Sequence, residues 1–110
     1  MSLKLYTATF NYRGQDRFDI TVKTKEHPEF CPTWEMVAGY KNGSMSEEEY
    51  TRLYHELMVE SWRKYNRAWR DLLSLNEATL VCFCSKNTFC HRYLLAEYLV
   101  KCGATYVGDR

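Results

Sequence analysis

A thiol, an imidazole and a guanidinium stand in direct succession at Cys90, His91 and Arg92, and no other stretch of the chain is as well equipped for chemistry. The three follow an apolar run, Ala78 to Cys84, and a polar loop, Ser85 to Phe89, and they open an amphipathic stretch that reads as a helix. The first N–H groups of a helix have no partners inside it, so that end attracts negative charge. A thiol there ionises more readily, and an adjacent Arg or protonated His strengthens the effect. Cys90 is therefore a candidate nucleophile and His91 its proton partner or positioner. Arg92 is a candidate fork for a phosphate or carboxylate. Cys84, Lys86 and Asn87 in the loop, with Arg13 from an earlier turn, are candidate co-ligands of a bound anion. Cys90 is expected to be the most acidic of the five cysteines.

Each of these residues also has a plainer role. Cys90 can be a small half-buried residue at a helix start. His91 can hydrogen-bond a strand carbonyl and lock the loop to the sheet, since Leu94 and Leu95 share its helical stripe. Arg92 can be a surface residue paired with Glu97 or with the C-terminal region. A phosphatase-type cradle is a poor fit, because Cys84 and Arg92 lie eight residues apart and the loop between them lacks glycine. Cys82, Cys84, Cys90 and His91 could supply four zinc ligands. The spacing is not that of two zinc knuckles, however, and core packing accounts for the two strand cysteines. A metal site is thus a third reading, and no cofactor is expected.

The elements that must position these residues can be read from periodicity. Leu3 to Phe10 alternates and is rich in β-branched and aromatic residues, which predicts a strand. Turn residues around Gly14 lead to a second strand, Phe18 to Lys23, and a hairpin between the two is open. Thr33 caps a short helix reaching Tyr40, and Ser46 with Glu49 forms a capping box that opens the longest element. Apolar residues then recur at helical spacing from Tyr50 to Leu73. Thirty helical residues would span about 45 Å, longer than a small domain is wide, so either a bend or break between Val59 and Asn66 or an overhanging end that packs on a partner is expected. Ala78 to Cys84 has the unbroken apolar character of a strand buried on both faces. Cys90 to Cys102 is the next helix, Gly103 its stop, and Ala104 to Val107 a final strand. Strand, helix and strand in succession make a βαβ unit. The expected fold is a single α/β domain over residues 1–110. It has a small, largely parallel sheet flanked by helices, a C-terminal βαβ unit and one long, bent helix. Ligands of such sheets bind beyond the carboxyl ends of the strands, where the loop and Cys90 to Arg92 lie.

Composition narrows the function classes. Fifteen basic and fourteen acidic residues balance to a charge of +1, which gives no global drive toward nucleic acid or anionic membrane. Arg63, Lys64, Arg67 and Arg70, interleaved with Trp62, Tyr65 and Trp69, nevertheless make a non-catalytic module for nucleotide, nucleic acid or protein the alternative function. No run of apolar residues reaches membrane-spanning length. The N-terminal residues pass straight into strand-like sequence without an apolar signal core, and the cysteine number is odd. Both point to a cytoplasmic protein with reduced thiols.

A strand of the type Leu-x-Cys-x-Cys, a short loop, then Cys-His-Arg-x-x-Leu-Ala, and a closing Tyr-x-Gly-acid resembles the domain of unknown function family 488. The match is closest to its short phage and bacterial members. Pro32 with Thr33, Tyr40, Lys41, Gly43, Ser46, Glu48, Tyr50 and Tyr54 fit the same pattern, so the resemblance runs from about Phe30 onward. It implies that Cys90 and His91 are functional. Many members carry Asp-x-Arg after the second strand, where this chain has Thr21, Val22, Lys23 and Thr24. Arg13 or Lys23 is then the replacement for that charge. Together these readings predict a domain that binds or acts on a small anionic, phosphate- or nucleotide-like molecule.

Overall fold

A computed structural model describes residues 3–83 and 89–110. The chain forms an α/β domain around four strands: β1 (Lys4–Thr9), β2 (Arg17–Asp19), β3 (Glu77–Cys82) and β4 (Thr105–Asp109). They lie in the order β2-β3-β1-β4, and every neighbouring pair is parallel. The helices are α1 (Trp34–Lys41), α2 (Glu47–Lys64), α3 (Asn66–Leu73) and α4 (His91–Lys101). The expected α/β class and parallel sheet are those observed, and the C-terminal β3-α4-β4 segment has its helix between two strands. Among the described residues no helix is long and apolar enough to cross a membrane.

β3 is an inner strand, and Ala78 to Cys82 are all buried, as an unbroken apolar run requires. Leu5, Ala78 and Leu80 enter the main core with Leu95 and Leu99 of α4. On the sheet's other side, Thr79 donates to Asp16 at 2.7 Å and accepts from Arg110 Nε at 3.1 Å. The Arg110 guanidinium lies 3.6 Å from the centre of the Tyr6 ring.

The hairpin left open by the turn at Gly14 does not form, because β3 lies between β1 and β2. The second strand is also shorter than its alternation suggests, and Asp19 is the reason. Its carboxylate accepts from the Thr21 N–H (2.8 Å), the Thr21 hydroxyl (2.7 Å) and the Thr24 hydroxyl (3.0 Å). Such a side-chain turn competes with the ladder and carries the chain off the sheet. Burial pushes the Asp19 carboxyl up, but these donors and the neighbouring Arg17 reverse that and hold it below its ordinary value.

The long helical stretch breaks at Tyr65, inside the expected interval. Tyr65 leaves the helical region (φ −121°, ψ 39°) and serves as C-cap of α2 and N-cap of α3. The break turns Trp69 inward, where its indole N–H donates to Ser61 Oγ at 2.9 Å. Ser61 Oγ in turn donates to the Glu29 carbonyl at 2.7 Å. Trp69 is buried against Phe30, whereas Trp62 and Tyr65 remain on the surface. Thr33 and Ser46 cap α1 and α2 through the N–H groups of Met36 and Glu49, as their sequence positions predict.

Candidate functional site

The parallel register sends the carboxyl end of β3 toward the start of α4, so Cys82 and Cys90 approach each other from two elements. Cys90 is the N-cap of α4, in extended conformation, and His91 and Arg92 form its first turn. The sulfurs of Cys82 and Cys90 meet, although their Cα atoms are 8.0 Å apart. One donor atom each from Cys82, Cys90 and His91 lies within 4.8 Å of the others, and all three residues are buried.

His91 ties this cluster to β2. Its Nε2–H donates to the Ile20 carbonyl at 2.8 Å, because a carbonyl can only accept. Nδ1 therefore carries the lone pair, and it faces the Cys90 sulfur at 3.7 Å. Burial pushes the imidazole pKa down, the bond to Ile20 opposes this, and the Arg92 charge adds to it. The result is about 4, against an ordinary 6.5. At neutral pH His91 is a neutral ring with a fixed tautomer.

Arg92 is fully buried. One guanidinium N–H group reaches the Cys82 sulfur at 2.7 Å, and another reaches the Tyr93 hydroxyl at 3.3 Å. Tyr93 then donates to Asp109 at 3.0 Å, and Thr7 donates to the same carboxylate. Thr7 also shares a hydrogen bond of 2.7 Å with the Tyr106 hydroxyl. The guanidinium is thus joined through two side chains to β4. Arg92 lies inside and not at the surface, and its contacts run through Tyr93 to Asp109 in the C-terminal region.

Above the cluster opens a cavity of ≈ 390 Å³, a size that suits a small ligand. Cys82, Cys90 and His91 contribute to its lining, together with the aromatic residues Trp34, Tyr50, Phe83 and Phe89. Lys23 and Lys41 also line it, both exposed, and no acidic side chain does so among the described residues. Trp34 is 53% and Phe83 51% exposed, although both are large apolar side chains. The Lys23 ammonium lies 5.8 Å from the Phe83 ring centre. A planar, negatively charged molecule would meet aromatic faces, two lysine cations and the sulfur–imidazole cluster in this space.

Of the sequence-derived candidates, Cys90 and His91 line the cavity, and Arg92 sits behind them against Cys82. Cys84, Lys86 and Asn87 lie outside the described residues. Arg13 is exposed on the β1–β2 connection and does not line the cavity, whereas Lys23 does. Cys82, read from the sequence mainly as core packing, is both buried and in contact with the site. Nothing in the sequence marks Trp34 and Lys41 as site residues, because their arrival depends on how α1 docks. Cys31 lies close by: its thiol is 3.4 Å from the Ile20 carbonyl that also receives His91. Burial, and then the charges of Asp19 and Glu29, push the Cys31 thiol up to about 11.

The family model described as "DUF488-N3a: Active DUF488-N3 subclade" matches residues 2–103 of the chain. No curated protein and no solved structure matches it.

Proposed function

The chain belongs to the DUF488 family, and on that premise we propose that it acts on a small anionic, nucleotide-like molecule in the cavity above Cys90. One observation carries the reading: a thiol and a tautomer-locked imidazole line a cavity that also has aromatic walls and two lysines. The aromatic side chains suit a base, and Lys23 and Lys41 suit a phosphate. Cys90 is the reacting sulfur. Description of the matching subclade as active supports a reacting site over a passive one.

In this reading His91 is first a positioner. Its Nε2–H bond to Ile20 fixes the ring, and Nδ1 presents a lone pair to the thiol. Its low basicity lets it accept the thiol proton only in passing. Negative charge on sulfur is instead favoured by the Arg92 guanidinium, which acts from behind the sulfur pair and not as an exposed clamp. Attack by sulfur forms a bond to an electrophilic atom of the ligand, and the leaving group departs with the electrons of the broken bond.

The test combines reactivity and binding in reduced, metal-free protein. Alkylation followed residue by residue against pH should find Cys90 ionising below an ordinary thiol, and nucleoside monophosphates should slow it. In amide-resolved titrations the same nucleotides should shift Cys90 to Tyr93 and α1. An inert Cys90 would overturn the thiol role. Shifts confined to residues 62–70 would favour the alternative, a non-catalytic module, for which the exposure of Trp62 and Tyr65 is the supporting observation.

A further inference from the structure

We propose that Cys82, Cys90 and His91 together bind a thiophilic divalent cation, with zinc the best match, and that the fourth coordination position faces the cavity. The donor set is two sulfurs and one imidazole nitrogen, all buried and within 4.8 Å of one another. Zinc accepts this set, and an open fourth position is the pattern of reactive and exchangeable zinc sites as opposed to closed structural ones.

Three further features fit a metal. Nδ1 of His91 is the unprotonated ring nitrogen and faces the Cys90 sulfur, while Nε2–H is held by a backbone carbonyl. Metal-bound histidines are commonly oriented in this way, the second nitrogen fixing tautomer and ring plane. Arg92 donates to the Cys82 sulfur, which favours its thiolate, the form that binds metal. Finally, the Cα atoms of Cys82 and Cys90 are 8.0 Å apart, beyond the roughly 4.4–6.8 Å that a disulfide spans. Backbones at that separation favour two separate thiols over a cross-link, and separate thiols are what a metal takes.

Charge then connects the ion to the cavity. Zinc with two thiolates keeps Lewis acidity at its open position, and the charged side chains that line the cavity, Lys23 and Lys41, are cationic. An anion, whether hydroxide or a ligand phosphate, is the natural occupant of the open position. Loading also engages the Cys90 lone pair, so the metal-bound and free-thiol forms are exclusive states of one site, and zinc becomes a regulator of thiol reactivity. The inference rests on the proposed function only for what enters the cavity.

Cobalt(II) reports on this directly. The reduced, chelator-treated full chain should bind one equivalent and develop thiolate-to-cobalt charge-transfer absorption and intense tetrahedral visible bands, both displaced by zinc. Cys82→Ser and Cys90→Ser should each weaken binding by at least about tenfold, while Cys31→Ser and Cys102→Ser leave it unchanged. In wild-type protein, where no substitution can disturb folding, one equivalent of zinc should protect Cys90 from alkylation and a chelator should restore it. Absence of charge-transfer bands in the wild type, or bands lost with Cys31 or Cys102 instead, would overturn the proposal. A cobalt spectrum with an inert metal-free Cys90 would sink only the thiol role. A reactive Cys90 with no cobalt spectrum would sink only the metal.

Discussion

Acid should destabilise this protein through His91 before it touches the carboxylates. Burial holds the imidazole pKa at about 4 in the folded chain, against 6.5 when unfolded. A group whose folded pKa is depressed contributes stability that is fully present above 6.5 and is lost as pH falls toward 4. In that window the unfolded chain binds the extra proton, so stability rises with pH. The full loss is about 3 kcal/mol, and about 2 kcal/mol of it has gone at pH 5. Asp16 and Asp19 are held below their ordinary value of 3.8, so their losses begin only at more acid pH. Urea unfolding of metal-free wild type and His91→Gln at pH 7.5, 6.0 and 5.0 isolates the effect. Glutamine can still donate to Ile20, and His27 and His55 are common to both proteins. Wild type should lose about 2 kcal/mol more than the variant between pH 7.5 and 5.0. Parallel pH dependences would refute the assignment of His91 as a buried neutral ring, and with it the fixed tautomer that aims Nδ1 at Cys90.

Three other outcomes follow from the same geometry. Trp34→Ala should weaken nucleoside monophosphate binding by roughly 5- to 150-fold, the value of one base stacked on an aromatic ring. Calorimetric titration measures this, and because Trp34 is exposed, thermal stability should change little. Cys31, with its pKa near 11, should have only about a thousandth of its thiols ionised at pH 8. Mass-spectrometric mapping of alkylation should therefore find it slow beside the exposed Cys102. Ser61→Ala leaves the buried Trp69 indole N–H and the Glu29 carbonyl without their shared partner. It should cost about 1–3 kcal/mol in urea unfolding, with nucleotide binding unaffected.

Local signals wrote the helices of this chain plainly. Thr33 and Ser46 cap α1 and α2 where their types and spacing place them, and the overlong helical pattern breaks at Tyr65 because a small domain has no room for it. The apolar run of β3 reads as interior for a related reason: five consecutive buried residues need cover on both faces. What periodicity does not carry is which strand lies beside which. Phe18, Ile20 and Val22 alternate as a strand should, yet the chain leaves the sheet after Asp19, whose carboxylate takes the donors of Thr21 and Thr24. β3 occupies the place a hairpin partner would have taken.

The candidate site was legible in the same uneven way. Cys90, His91 and Arg92 announce themselves by type and adjacency, and a parallel sheet must deliver them to its carboxyl edge. Their depth was not announced. An arginine in a first helical turn is ordinarily a surface residue, and Arg92 is buried because a sulfur, a tyrosine and, one step further, Asp109 wait for it inside. Cys82 teaches the converse. An apolar strand accounts for its burial with no functional role, yet the same burial brings its sulfur against Cys90 and Arg92. Burial and reactivity are not alternatives for cysteine. A thiol deep in a strand is inert only when its neighbours are apolar, and here they are a guanidinium, a second sulfur and an imidazole. Trp34 and Lys41 mark the remaining limit. Nothing in α1 distinguishes a surface tryptophan from one that walls a cavity until the helix is docked beside Cys90, and that docking is a property of the whole core.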